Sequence, residues 1–251
     1  MNWKRYHRQI IIPFFGEEGQ KRLEKARVIV IGAGGLGSPV ITYLAAAGVG
    51  RIGVVDHDKV EVTNLNRQTI HAGRTGENKA ISAVKYIHQL NPEIEAVAYP
   101  FMLSPDNILE IFRDWDVVVS CVDSMRLRYL INDACFLLKK PMIHAAVFET
   151  EGEAITFTYQ NGSPCYRCIY PRAIEHETPG IFGFTAGFFG TIQAAETIKL
   201  LSEFGDILEG RMIRVDLASM EWYEIKVRQR DNCELCSGKI REINPERYGH
   251  I

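Results

Sequence analysis

The feature that most constrains the fold is a glycine-rich turn at residues 32–37, directly after an apolar run. A short apolar run bounded by glycines predicts a buried parallel strand, and the residues that follow predict a helix. Gly32 permits the tight turn, and Gly34 and Gly35 allow backbone N–H groups to approach a phosphate at the helix N-terminus. Gly37 lets the helix pack against the strand. The pattern is typical of the first βαβ unit of a nucleotide-binding fold.

A second predicted strand, residues 51–55, ends in Asp56, twenty-four positions after Gly32. An acidic residue at this point can bind ribose hydroxyls. Taken alone, these features indicate an adenine nucleotide or a dinucleotide. A nicotinamide-dependent oxidoreductase therefore stays open as an alternative.

Composition narrows the class of protein. The chain has 251 residues, 46% of them hydrophobic, which is enough for a sizeable core. Its formal net charge of −2 gives no reason to expect a nucleic-acid partner. We find no signal peptide, and no run approaches the roughly 20 apolar residues that a membrane span needs. We therefore expect a cytoplasmic protein with no membrane partner.

Four of the six cysteines form two Cys-x-x-Cys pairs, Cys165 with Cys168 and Cys233 with Cys236. Each pair can bind one metal ion from a turn, and two pairs complete a tetrahedral tetrathiolate that suits Zn²⁺. Such a site leaves no open coordination position, so we expect the zinc to be structural. The alternative is two unrelated redox pairs.

Strands and helices alternate from Val28 onward, whereas residues 153–159 and 212–228 show the alternation of antiparallel strands. We predict an α/β fold: a Rossmann-like parallel sheet extended by antiparallel strands, with a structural zinc site. No linker interrupts the chain. We therefore expect one domain over residues 1–251, with a nucleotide-binding half of about 1–147 and a C-terminal half of about 148–251 that carries the zinc site and a partner-binding surface.

Three further features lie beside the predicted strand ends. A long polar loop, residues 57–72, leaves the carboxyl end of the second strand, where α/β sheets bind ligands. Lys79 begins a predicted helix, where a cation is unfavourable unless an anion lies nearby. Asp123 follows the predicted strand 116–120 and can reach a magnesium ion. Capping of the helix Met125–Leu138 is an equally supported role for Asp123.

Several motifs occur together in one order and spacing. They are Arg5-Tyr6-His7-Arg8-Gln9, the glycine-rich turn, Asp56-His57-Asp58, Thr63-Asn64-Leu65-Asn66-Arg67-Gln68, Lys79, Asp123 and the two Cys-x-x-Cys pairs. This series resembles the MoeB/ThiF/HesA family, bacterial relatives of the ubiquitin-activating enzymes, over nearly the whole chain.

The resemblance implies a homodimeric adenylyltransferase that uses ATP and Mg²⁺. Its substrate would be a small ubiquitin-like sulfur-carrier protein, MoaD- or ThiS-like, that ends in Gly-Gly. The enzyme would activate the C-terminal glycine carboxylate, forming a carrier acyl-adenylate and pyrophosphate. The carrier, and with it the pathway (molybdenum or tungsten cofactor, thiamine or another product), does not follow from the sequence.

The resemblance also implies roles for individual residues. Arg67 and Lys79 would bind the phosphates, Asp123 would hold magnesium, and Arg8, which from sequence alone is ordinary surface charge, would enter the neighbouring subunit's site. These four would be the catalytic residues. The nucleotide-binding set would be Gly32, Gly34, Gly35, Asp56, Asn64, Arg67, Gln68, Lys79, Asp123 and Ser124.

Two positions depart from the family pattern. Many relatives have a cysteine where this sequence has His176, and no cysteine lies between Cys168 and Cys233. We therefore expect adenylation without a thioester step. Ser124 stands where relatives commonly have Asn. The sequence has no sulfurtransferase segment after the second cysteine pair, so we expect the sulfur to come from elsewhere.

Other functions remain open. One alternative is a relative with a non-protein acceptor, such as a dehydratase acting on threonylcarbamoyl-adenosine in transfer RNA. A binding protein without catalysis is another, although the retained cations and Asp123 argue against it. The oxidoreductase is least favoured because nothing supplies a hydride-transfer site.

Overall fold

The computed structural model describes residues 2–160, 162–172 and 180–249, so His176 lies outside the described residues. Eight strands form a single sheet in the order β3-β2-β1-β4-β5-β6-β7-β8. Their bounds are β1 Arg27–Ile31, β2 Arg51–Val55, β3 Glu95–Tyr99, β4 Val117–Ser120, β5 Met142–Phe148, β6 Glu151–Phe157, β7 Arg211–Asp216 and β8 Glu221–Lys226.

The sheet changes character at β5. Strands β1 to β5 pair in parallel, whereas β5, β6, β7 and β8 pair antiparallel. The predicted α/β sheet with an antiparallel extension is therefore confirmed. The chain leaves β1 toward β2 on one side and returns to β4 on the other, which opens a crevice at the carboxyl ends of β1 and β4.

Helices cover both faces of the sheet. They are α1 Trp3–Ile10, α2 Gly16–Lys25, α3 Gly37–Ala47, α4 Lys79–Leu90, α5 Ile108–Arg113, α6 Met125–Leu138, α7 Tyr166–Ile169 and α8 Gly183–Ser202. Leu44 of α3, Ile87 of α4 and Phe189 of α8 lie in one buried cluster. Phe112 of α5 and Leu130 of α6 lie in a second cluster, on the other side of the sheet. This three-layer arrangement buries both faces of the parallel strands, which explains their continuous apolar sequences.

Most predicted elements agree with the structure to within a few residues, but α1 was not predicted. Its single fully buried side chain is Tyr6, whose hydroxyl accepts a hydrogen bond from Asn91 Nδ2 at 2.8 Å. One apolar anchor among polar residues gives no helical periodicity to detect. The predicted antiparallel stretch 212–228 forms the hairpin β7–β8, and the polar loop 57–72 contains two short 3₁₀ turns. Among the described helices, none combines the length and apolarity required to cross a membrane.

Candidate active site

A cleft of about 450 Å³ lies at the carboxyl ends of β1, β2 and β4. It brings together nine of the residues predicted to bind nucleotide. These are Gly32, Gly34, Gly35, Asp56, Arg67, Gln68, Lys79, Asp123 and Ser124. Asn64 and Arg8, which were also predicted, do not line it.

The glycine turn is folded tightly against the end of β4. Gly32 has a φ of +95°, and a Cβ on it would lie 2.7 Å from the carbonyl oxygen of Cys121. A Cβ on Gly37 would lie only 2.1 Å from the carbonyl oxygen of Gly32. Both positions therefore require glycine. Gly37 was predicted for helix packing, whereas the structure shows that it lets the turn close on itself.

Asp56 and His71 hold the glycine turn from two sides. Asp56 Oδ2 accepts a hydrogen bond from the Ala33 N–H at 2.8 Å. His71 Nε2 lies 2.7 Å from the Ala33 carbonyl oxygen, and His71 Nδ1 lies 2.8 Å from Ser82 Oγ. Because a carbonyl oxygen only accepts, Nε2 carries a proton. In the neutral imidazole, which burial favours, Nδ1 then accepts from the Ser82 hydroxyl.

Burial shifts the pKa values of Asp56 and His71 in opposite directions, and each shift favours the neutral form of the side chain. Desolvation raises the pKa of Asp56, against the lowering effect of its hydrogen bonds from Ala33 and Asp58. Desolvation also lowers the pKa of His71. The sequence placed His71 in the polar loop without a role, and its burial depends on packing that the sequence does not show.

Lys79 is the first residue of α4, and an anion lies beside it as its position predicted. Its Nζ lies 2.9 Å from Asp58 Oδ2. The lysine side chain is only 8% exposed, whereas that of Asp58 is 53% exposed. Asn78 caps the helix by accepting from the Ile81 N–H at 3.1 Å. The structure therefore presents a nearly buried ammonium at the wall of the cleft.

The polar loop contributes a cation and a buried amide. Arg67 Nη1 donates to the carbonyl oxygen of Thr63 at 3.2 Å and to Asn66 Oδ1 at 2.9 Å, and within the described chain it pairs with no carboxylate. Gln68 is 4% exposed, and its Oε1 has no hydrogen-bond partner in that same part of the chain. Asn64 instead shapes the loop, because its Oδ1 accepts from the Glu61 N–H at 3.1 Å.

Asp123 does not cap α6. The cap is Ser124, whose side chain accepts from the Leu127 N–H at 3.3 Å, so the alternative role for Asp123 is wrong. Asp123 is exposed and makes no hydrogen bond or ion pair with residues 2–160, 162–172 or 180–249. Its carboxylate is therefore available to a ligand in the cleft.

The cleft also contains residues that the sequence analysis missed. Arg126 and Arg128 line it from the first turn of α6, and Arg128 donates from Nε and Nη2 to the Val122 carbonyl oxygen at 3.1 and 3.0 Å. The argument used for Lys79, a cation at a helix N-terminus, would have identified both. Phe101 and Met102 add an apolar wall. No sequence pattern marked these two residues.

Arg8 is exposed on α1 and lies outside the cleft of its own chain. This position leaves the arginine accessible to another molecule. The same geometry is compatible with ordinary surface charge, so an experiment must separate this interpretation from a role in the neighbouring subunit's site.

The four paired cysteines meet in one cluster, in which Cys165, Cys168 and Cys233 are buried and Cys236 is partly exposed. Cys165 Sγ lies 3.8 Å from Cys168 Sγ and 3.5 Å from Cys233 Sγ, and Cys168 Sγ lies 3.6 Å from Cys236 Sγ. All four sulfur atoms lie within 4.8 Å of one another. Two separate redox pairs would not converge in this way. Four thiolates at this separation fit a tetrahedral zinc ion.

The two remaining cysteines, Cys121 and Cys135, are buried in the core, where they pack as small apolar residues. Burial raises the pKa of both thiols, well above the ordinary value for Cys135. A thiol in such surroundings is inert.

Comparison with known proteins gives a consistent picture. The ThiF family model matches residues 6–236. A sulfur carrier protein adenylyltransferase from Thermus thermophilus is 42% identical over 243 residues, which cover 92% of this chain and 90% of that protein. The protein named adenylyltransferase and sulfurtransferase MOCS3 is 40% identical in Drosophila virilis and 42% identical in Mus musculus. These matches cover 94% and 92% of this chain but only 54% and 52% of the relatives, so the chain spans about half their length.

Among solved structures, E. coli MccB in complex with MccA-N7isoASN has a TM-score of 0.84 at 22% identity, covering 94% of this chain and 75% of that chain. E. coli MccB with ATP has a TM-score of 0.79 at 22% identity, covering 88% of this chain and 69% of that one. At this identity the likeness shows the fold alone.

Proposed function

The chain belongs to the ThiF family, and we propose that it is an adenylyltransferase acting on a small ubiquitin-like sulfur-carrier protein. The enzyme would transfer AMP from ATP to the carrier's C-terminal glycine carboxylate and release pyrophosphate. One observation carries the proposal: the exposed carboxylate of Asp123, the cations Arg67 and Lys79, and the glycine turn line the same cleft.

The reaction brings two anions together, a carboxylate and a triphosphate, so its main requirement is positive charge placed where the α-phosphate gains negative charge. A carboxylate oxygen would attack the α-phosphorus, and the bond to the departing pyrophosphate would break. Arg67 and Lys79 would stabilise the phosphates in this transition state. Asp123 would hold Mg²⁺, which when bound would neutralise phosphate charge. We expect no covalent thioester step.

Other residues would orient the nucleotide. Asp56 would bind the ribose hydroxyls with the lone pairs that its two hydrogen bonds from backbone N–H groups leave free. Gln68 Oε1 has no partner among the described residues, which supports a hydrogen-bond donor on the bound ligand. Phe101 and Met102 would contact the base, since they are the apolar wall of the cleft. Asn64 would act indirectly, by shaping the loop that presents Arg67.

An apolar surface beside the cleft supports a protein substrate. Phe182 and Phe184 are each more than half exposed and stack at 5.2 Å, next to Ile181, which lines the cleft. Phe148 and Trp222 are also more than half exposed. Exposed aromatic side chains favour a protein partner over a transfer RNA, which a basic surface would attract. The C-terminal half, about 148–251, would thus bind the carrier while residues 1–147 bind ATP.

We further propose a homodimer in which Arg8 enters the partner subunit's site. The exposure of Arg8, outside the cleft of its own chain, leaves its guanidinium accessible to a second copy of the chain. The cysteine cluster would hold a structural Zn²⁺ that fixes the C-terminal segment to α7. We place the enzyme in the cytoplasm, on the sequence grounds given above.

The test is ATP–pyrophosphate exchange by the purified protein with a panel of MoaD- and ThiS-like carriers. We expect exchange that depends on one carrier with a free Gly-Gly terminus. The same carrier without its last glycine is the matched control and should support no exchange. ATP binding without exchange for any carrier would instead favour a non-protein acceptor.

A further inference from the structure

We infer that Asp58 is a positioning residue that holds the Lys79 ammonium when the cleft is empty and competes with the phosphates for it when nucleotide binds. The inference deepens the proposed function and rests on it, since it assigns Lys79 to phosphate. Asp58 lines the same cleft as the glycine turn. Its action on the nucleotide would pass through Lys79.

The main chain of Asp58 is fixed on both sides. Its N–H donates to Asp56 Oδ1 at 2.9 Å. Its carbonyl oxygen accepts from the Lys79 N–H at 2.8 Å and from Asn78 Nδ2 at 3.1 Å. The residue therefore joins the end of β2 to the start of α4, and the backbone that carries its carboxylate is held in position without the ion pair.

The ion pair itself is unsymmetrical. The Lys79 side chain is 8% exposed and that of Asp58 is 53% exposed. A cation this buried is costly without a counter-ion. Within 4.0 Å, Asp58 is the one carboxylate that the described part of the chain offers to Lys79. The lysine thus depends on Asp58, whereas the aspartate is solvated and also lies 3.2 Å from His57 Nε2.

This asymmetry allows the pair to exchange partners. When phosphate oxygens reach Lys79 Nζ, the ammonium gains a stronger anion and the Asp58 carboxylate keeps its contact with water. The negative charge of Asp58 then lies near the phosphates and lowers the affinity of the cleft for ATP and pyrophosphate. The result is a lysine that is in position before nucleotide arrives and that releases pyrophosphate more readily afterward.

Asp58→Asn removes the charge and keeps the shape. We expect ATP and pyrophosphate to bind about 3- to 10-fold more tightly, which corresponds to about 0.7–1.4 kcal/mol. This is at and above the upper end for exposed ion pairs, because the Lys79 side chain is nearly buried. Adenosine, which carries no phosphate, should bind the variant and the wild type equally. Asp58→Glu keeps the charge and should stay within about twofold of wild type for all three ligands. Calorimetric titration of each ligand measures these affinities.

Two controls make the result specific. Glu77→Gln removes an ion pair outside the cleft, in which Glu77 Oε2 lies 2.8 Å from Lys85 Nζ. This variant should bind ATP, pyrophosphate and adenosine as the wild type does. In a Lys79→Gln background, Asp58→Asn should give no gain, because the effect passes through the lysine.

Weaker or unchanged binding of ATP and pyrophosphate by Asp58→Asn would overturn the inference, as would an equal gain for adenosine. The proposed function fails in a different way. If the wild-type protein did not bind ATP at all, the adenylyltransferase assignment itself would be wrong, and no carrier is needed to see this.

Discussion

The cleft and the cysteine cluster are built in opposite ways. The cleft takes most of its polar residues from one stretch, 32–79, where strand ends and loops bring them together through backbone hydrogen bonds. The cluster joins two pairs of cysteines that are 68 residues apart. Contacts between sulfur atoms bridge that separation, and the Arg230 N–H donates to Cys168 Sγ at 3.5 Å. The comparison teaches that the nucleotide site follows from local chain geometry, whereas the cluster depends on long-range closure.

Helix α6 connects the two regions. Its first turn places Arg126 and Arg128 in the cleft. Further along, the fully buried Asp133 accepts from Arg167 Nη2 at 2.7 Å and from the Tyr248 hydroxyl at 2.9 Å, and so fastens both the α7 turn and the C-terminal segment. Loss of order at the cluster can therefore reach the cleft through one helix.

The largest effect should come from breaking the cluster. Cys233→Ser is expected to abolish binding of one zinc ion per chain and to lower the free energy of unfolding by more than about 4 kcal/mol, because metal binding contributes directly to folding. Metal analysis and chemical denaturation measure the two quantities. Cys135→Ala, a buried cysteine outside the cluster, is the matched control and should keep its zinc. Full zinc binding by Cys233→Ser would contradict the tetrathiolate.

A substitution in the cleft should reduce the reaction rate while the protein stays folded. Asp123→Ala is expected to reduce carrier-dependent ATP–pyrophosphate exchange about 1,000-fold, or about 4 kcal/mol, because charge stabilisation in the transition state is lost. ATP affinity by titration should change less than about threefold, because the charge stabilisation assigned to Asp123 develops mainly in the transition state. Asp106→Asn, an exposed carboxylate outside the cleft, serves as the control for charge. Unimpaired exchange by Asp123→Ala would remove Asp123 from the mechanism.

A mixing experiment tests whether the cleft is complete within one chain. Arg8→Ala and Lys79→Ala should each lower exchange about 100-fold. Random mixing of the two variants should restore about a quarter of wild-type exchange, because half of the dimers are mixed and each has one intact site. The measurement is exchange before and after subunits are mixed. No recovery, or full activity of Arg8→Ala alone, would return Arg8 to ordinary surface charge.

The smallest effect concerns the pH dependence of stability. The pKa of His71 is lowered in the folded state, so the unfolded chain takes up a proton first, near the ordinary value of 6.5. Its contribution is complete above pH 6.5 and is lost as the pH falls through that value toward the folded-state pKa. When the pH falls from 7.5 to 5.5, the free energy of unfolding should decrease in both proteins. The decrease should be about 1 kcal/mol smaller for His71→Gln than for the wild type. Parallel pH slopes in denaturant titrations would contradict this account of the glycine turn.

The contrast between local chain geometry and long-range closure also explains which features could be predicted from the sequence. The glycine turn, Asp56, Lys79 and Asp123 were predictable because each follows a strand or begins a helix, and the carboxyl ends of parallel strands share one edge. Their assigned roles stay predictions. The cysteine pairs were predictable from spacing and ligand chemistry, without knowledge of the fold.

Other features were beyond the sequence. The role of His71 depends on the burial of its ring between the Ala33 carbonyl and Ser82, and that of Asp58 on a partner 21 residues away. Phe101 carries no local signal for its place in the cleft. Such contacts arise from packing between elements, which periodicity does not encode.

The most direct test of the central claim is mass spectrometry of the carrier after incubation with this protein, ATP and Mg²⁺. The account predicts that a carrier with a free Gly-Gly terminus gains one AMP with loss of water, and that Asp123→Ala abolishes the adduct. A carrier that stays unmodified while the protein consumes ATP, or an AMP group found at any position other than the C-terminal carboxylate, would contradict the account.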